Sequence, residues 1–133
     1  MTEHSSSSEA NAADLVLETR EDAIVTLTFN DEARRNAMTR QMGEAFRDRV
    51  RALAGDPDLR AVVITGSGSA FSAGGDLDMI EDLARQARRG DARASVQAFM
   101  RSFYELFLSI RSLPVPTLAA INGHAIGAGL CVA

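Results

Sequence analysis

Two short segments carry the residue types that could do chemistry: Phe71-Ser72-Ala73-Gly74-Gly75-Asp76-Leu77 and Ile121-Asn122-Gly123-His124-Ala125-Ile126-Gly127-Ala128-Gly129. Each follows an apolar, β-branched run and leads into a helical pattern. Such a corner offers small residues and the orphan N–H groups of a helix start to an approaching ligand. Gly74 and Gly75 leave the backbone bare, and Gly127, Ala128 and Gly129 are equally small. Two corners brought together would hold a developing oxyanion between two main-chain donors.

Other chemistries fit less well. Gly66-Ser67-Gly68 follows a strand pattern, but Phe71 stands where a dinucleotide fingerprint needs its third glycine. Gly127-Ala128-Gly129 meets Val132 at the same point, and no Walker-type lysine is present. His124 lies beside Asn122-Gly123 without a partner in sequence, so it reads as a packing or hydrogen-bonding residue. Cys131 is the sole cysteine, which excludes an internal disulfide and a cysteine metal cluster. No metal site is expected.

The pair of corners, in this order and spacing, resembles the crotonase family, also called the enoyl-CoA hydratase/isomerase family, from about Leu15 to Ala133. The resemblance implies an α/β fold, a crotonase-like spiral of ββα passes, incomplete at the C-terminus because family members continue well past this point. It implies an acyl-CoA thioester as partner and substrate, with no cofactor other than the coenzyme A that the substrate carries. The amides of Gly75 and Ala128 would then be the oxyanion donors. Ala33, Arg34 and Ala37 would line the CoA site, joined by Ser72, Ala73, Gly74, Asp76, Leu77, Met79 and Gly127. Ile80, Leu83, Phe99 and Phe103 fall on the segment that varies in the family and are candidates for the acyl pocket, although each also reads as plain core. Hydratases of the family carry a glutamate three residues after the second donor, and here that position is Cys131. Hydration or isomerisation of an enoyl-CoA is the first expectation. A hydrolase or decarboxylase of the same family, or a non-catalytic or truncated acyl-CoA binder, stays open. The resemblance also implies a homotrimer or a dimer of trimers when full length.

The elements that must position these corners are legible from periodicity. Residues 1–14 are polar and serine-rich and are expected to be a disordered leader; 15–133 form the acyl-CoA-binding part. Leu15-Val16-Leu17-Glu18 and Ile24–Phe29 read as a hairpin about the turn Arg20-Glu21-Asp22. Thr39 is placed to cap a helix whose apolar positions are Met42, Ala45, Phe46, Val50 and Leu53, ended by Gly55-Asp56-Pro57. Ala61–Thr65 and Thr117–Ile121 read as strands covered on both faces. Between them lie two helical stripes, Leu77, Ile80, Leu83, Ala84 and then Val96, Phe99, Met100, Phe103, Leu106, Phe107, Ile110. A charged break from Arg85 to Arg93, containing Gly90 and expected to be mobile, separates them.

The chain of 133 residues, 46% hydrophobic and 24% charged, has the composition of a globular domain. Its net charge of −4 argues against a nucleic-acid partner. No apolar run is long enough to span a bilayer, so no membrane partner is expected and the expected location is the cytoplasm.

Overall fold

The computed structural model describes residues 12–90 and 92–133. Most of the expected leader lies outside the described residues, the first described element being a 3-10 turn, Ala12–Leu15. Strands β1 (Val16–Glu21) and β2 (Ile24–Phe29) form the hairpin. Its turn is tighter than expected, because β1 runs on to Glu21 and only Asp22 and Ala23 connect the strands. Asp22 takes a left-handed φ of 53° there, a conformation that short polar side chains tolerate.

Helix α1 (Arg40–Ala54) starts where Thr39 predicts, with the threonine hydroxyl accepting from the Met42 amide at 3.2 Å. Met42, Phe46, Val50 and Leu53 are buried as expected, and Gly43 joins them. A Cβ on Gly43 would lie 2.9 Å from Leu106 and Phe107. The missing side chain is what lets α3 (Arg93–Leu108) approach α1 so closely.

Three passes of the chain share one plan. Strands β2, β3 (Ala61–Gly66) and β5 (Thr117–Ala119) lie parallel in a four-stranded sheet ordered β1-β2-β3-β5. After each, a short extended piece enters a second layer: Met38 bridges Gly75, and β4 (Ala70–Ser72) pairs in parallel with β6 (His124–Ala125). A helix then follows each piece: α1, α2 (Leu77–Ala87) and α4 (Ala128–Val132). This is the spiral of ββα passes that the family resemblance implies. The pieces β4, β6 and Met38 fall within segments that read from sequence as corners and loops. They are too short to show a period.

The core fills the space between the sheet and the pair α1 and α3. Phe29 is its centre, with ring centroids 5.5 Å from Phe46, 5.7 Å from Phe71 and 6.3 Å from Phe107. Tilted and edge-on rings at these separations are favourable beyond the area they bury.

Two expectations about burial fail. Strand β3 alternates, with Val62 and Ile64 buried and Ala61, Val63 and Thr65 only half-buried. Strand β5 ends at Ala119 and is largely exposed, Leu118 by 53%. The helices α1 and α3 cover one face of the sheet, and β5 lies at its edge. Most of the α2 stripe is likewise uncovered, with Leu77 79% and Ile80 46% exposed and only Leu83 half-buried. The charged break does separate α2 from α3, and Gly90 takes φ 60° there.

Candidate active site at the two glycine corners

The corner at residues 72–77 is built on the loop that precedes α1. Arg35 and Asn36 both hold left-handed φ, 51° and 56°, so the loop turns its carbonyls onto the corner. The Ala73 amide donates to the Arg35 carbonyl at 2.9 Å, and the Met38 amide donates to the Gly74 carbonyl at 2.7 Å. The Asp76 amide donates back to the Met38 carbonyl at 3.2 Å. Gly74 donates to the Ser72 hydroxyl at 3.1 Å. The amides of residues 73, 74 and 76 are thus all engaged, and that of Gly75 has no protein acceptor among the described residues. Its peptide is trans, so its N–H points opposite to the Gly74 carbonyl and away from Met38.

Asp76 closes the corner as the cap of α2, its Oδ1 accepting from the Met79 amide at 3.1 Å. Its Oδ2 pairs with Arg34 at 3.2 Å. Arg34 is 56% exposed, so its guanidinium keeps donors free for a further anion.

The second corner is held against the first. The Ile126 amide donates to the Ser72 carbonyl at 3.0 Å, and the Gly129 amide donates to Ile126. Among the described residues, the amides of Gly127 and Ala128 have no protein acceptor. Gly127 has φ 53° and ψ −121°, a region that strains any side-chain-bearing residue. Gly74 has φ 91°. Each donor residue expected from sequence, Gly75 and Ala128, therefore directly follows a positive-φ glycine.

Of the other site residues expected from sequence, Gly74 is buried in the seam between the corners. Ala73, Asp76 and Met79 are half-buried around it, while Ala33, Leu77 and Gly127 are exposed. Ala37 is buried beneath the loop. The Ser72 side chain is fully buried and is bonded within the protein, to the Asn36 carbonyl at 2.8 Å. Among the candidates for the acyl pocket, Ile80 lies over Gly75, 3.0 Å from where a Cβ there would be. Phe103 is a core residue, stacked on Phe99 and 1% exposed. Cys131 is exposed on α4, and His124 is exposed on β6.

Sequence reasoning missed the two asparagines that hold the corners. Asn36 is fully buried and donates through Nδ2 to the carbonyls of Ser67 and Ala70, while its Oδ1 accepts from the Asp31 amide. Asn122 holds the same loop from the other side, accepting from Gly66 N–H and donating to the Gly68 and Ala70 carbonyls. The signal available was an asparagine one or two residues before a short apolar piece in two of the passes. Two shallow hollows lie elsewhere, along α3 at Ala94, Gln97 and Arg101 and on the hairpin at Thr19, Glu21 and Thr26. Among the described residues no group of three or more His, Cys, Asp or Glu could hold a metal ion. No described helix is long and apolar enough to cross a membrane.

Residues 24–133 match the family model described as enoyl-CoA hydratase/isomerase. The chain belongs to this family. It is 41% identical over 110 residues to the Mycobacterium tuberculosis protein named "Probable enoyl-CoA hydratase EchA14", a match covering 83% of this chain and 40% of that one. Its fold is similar to that of an enoyl-CoA hydratase from Polaromonas sp. JS666, with a TM-score of 0.73 and 34% identity over 88% of this chain and 44% of the other. A Thermobifida fusca YX protein solved in complex with acetoacetyl-CoA matches with a TM-score of 0.71 and 32% identity, over 92% of this chain and 48% of that one. The chain thus spans less than half the length of the family relatives it matches.

Proposed function

We propose that this chain supplies the acyl-CoA thioester site of a family enzyme, with the thioester oxygen held by the amides of Gly75 and Ala128. The observation that carries the reading is that the Gly75 and Ala128 amides, on two abutting corners, have no acceptor among the described residues, and each follows a positive-φ glycine. Removing a proton from the carbon next to a thioester, or adding water across a conjugated double bond, drives an electron pair onto the carbonyl oxygen. Two fixed donors stabilise that oxyanion more than the neutral carbonyl, so they lower the barrier rather than merely bind substrate. Exposed Arg34 suits a phosphate of the CoA moiety, with Ala33, Ala73 and Met79 on the segments beside it and Ala37 beneath the loop. Ile80, over Gly75, borders the acyl group.

Hydration or isomerisation of an enoyl-CoA is the reaction this arrangement favours. Cys131, exposed where the hydratases carry glutamate, favours a second reading: a family reaction whose acid or base lies elsewhere, such as thioester hydrolysis or decarboxylation. A thiol is a poor substitute for a carboxylate in activating water. The test is turnover by the intact protein of a short enoyl-CoA, followed through loss of the conjugated thioester absorbance, beside release of free thiol from a saturated acyl-CoA. Hydration or double-bond migration supports the first reading and thiol release the second. Absence of both, with CoA still bound, would leave a binding role.

A further inference from the structure

Ser72 engages both corners through its side chain and its backbone. Its hydroxyl donates to the Asn36 carbonyl at 2.8 Å and accepts from the Gly74 amide at 3.1 Å. Its carbonyl accepts from the Ile126 amide at 3.0 Å. Its Cβ and Oγ lie against Gly129, where an added methyl would come within 2.7 Å of Cβ and 2.9 Å of Oγ. The side chain is 0% exposed, and among the described residues no buried side-chain polar atom lacks a partner. A hydroxyl with both its donor and an acceptor site committed cannot rotate to suit a ligand.

We propose that Ser72 is a positioning residue that fixes the separation and orientation of the Gly75 and Ala128 amides. It acts through its neighbours. Binding the Gly74 N–H leaves the adjacent Gly75 N–H as the free donor of that corner, and packing on Gly129 seats the first turn of α4, which begins at Ala128. The inference rests on the oxyanion reading above. It goes further by assigning a serine whose side chain is buried within the protein to the tuning of both donors.

The probe is acetoacetyl-CoA, whose enolate is visible by its absorbance, titrated into the intact protein and its Ser72→Ala and Ser72→Cys variants. Free CoA, which has no thioester oxygen, is the control ligand. Both variants should hold about tenfold less enolate at a fixed pH, the scale of weakening one hydrogen bond to a charged oxygen, while their affinity for CoA is unchanged. In turnover the loss should fall on kcat rather than KM, up to about 10²-fold for donors displaced by an ångström. Should the alanine variant not fold, the cysteine variant, which keeps a weak donor and acceptor, decides. An unchanged enolate fraction in a folded variant overturns the inference, as does failure of both variants to fold, which would assign Ser72 to stability alone. If the unsubstituted protein itself shows no enolate gain over free acetoacetyl-CoA, the oxyanion reading fails and the inference with it.

Discussion

A methyl group on Gly74 would sit 3.6 Å from the Ala128 nitrogen and only 2.6 Å from the Ile126 carbonyl oxygen. Segments more than 50 positions apart in the chain thus approach so closely at Gly74 that no room is left for a Cβ. Gly74→Ala should therefore push the corners apart and strain a φ of 91°. The expected cost is about 1–3 kcal/mol in stability, read by thermal or urea unfolding, with a fall in turnover exceeding the fall in CoA affinity. Unaltered kinetics in a folded variant would separate this seam from catalysis.

Gly75→Pro deletes one proposed donor and leaves Ala128. Turnover is expected to fall by about 10²–10³, the usual cost of one oxyanion-hole donor. CoA affinity, measured by calorimetry, should change little. A loss confined to KM would show that the amide binds rather than catalyses.

Cys131→Ala tests whether the exposed thiol is a bystander. Activity is expected to stay within several-fold of the parent. A drop of about 10³ or more is the scale of a removed nucleophile or acid-base group, and it would give Cys131 a chemical role.

Arg34→Met removes the exposed guanidinium paired with Asp76. Stability should shift by less than about 1 kcal/mol, as for exposed ion pairs generally. CoA binding should weaken by about three- to tenfold at low salt, and by less at high salt as screening takes over. Equal weakening at both ionic strengths would argue against a phosphate contact.

Asp56 gives a pH signature remote from the site. The Asp58 amide donates to its carboxylate, and Arg20 pairs with it, so its pKa lies below the ordinary 3.8. A lowered folded-state pKa adds stability that is fully present above the unfolded value and is lost as pH falls through the folded value. Asp56→Asn should thus lower the melting temperature at neutral pH. The difference from the parent should shrink as the pH is taken below about 4. A difference that is constant with pH would rule out the charge as its source.

Local signals carried much of the fold. Thr39 as a cap, the stripe Met42, Phe46, Val50 and Leu53, and the Asp76 helix start depend on neighbours within four residues, and each stands where periodicity places it. The two corners were also legible as strand-to-helix turns, because glycines between an apolar run and a helical stripe mark tight turns. The sequence pattern even separates α2 from α3 at Gly90.

Burial was less legible, since it depends on what packs from outside the segment. Thr117–Ile121 has the composition of a covered strand, but the sheet order puts β5 at an edge. Ser72 illustrates the same limit. As a residue type beside two glycines it reads as part of a ligand channel, and only the fold shows its hydroxyl buried between Asn36 and Gly74.

By itself, then, the sequence determined the helices, the main strands and the two corners, all products of short-range sterics and capping. Tertiary structure alone decided that Gly74 meets Ala128, that Met38 turns the Gly75 amide outward, and that Asn36, Asn122 and Ser72 hold the corners together. Apart from the Gly74–Ala128 packing, these relations rest on hydrogen bonds, the long-range ones joining residues 31 to 57 positions apart. No periodicity records such a bond, because closing loops of that length depends on the whole core forming first.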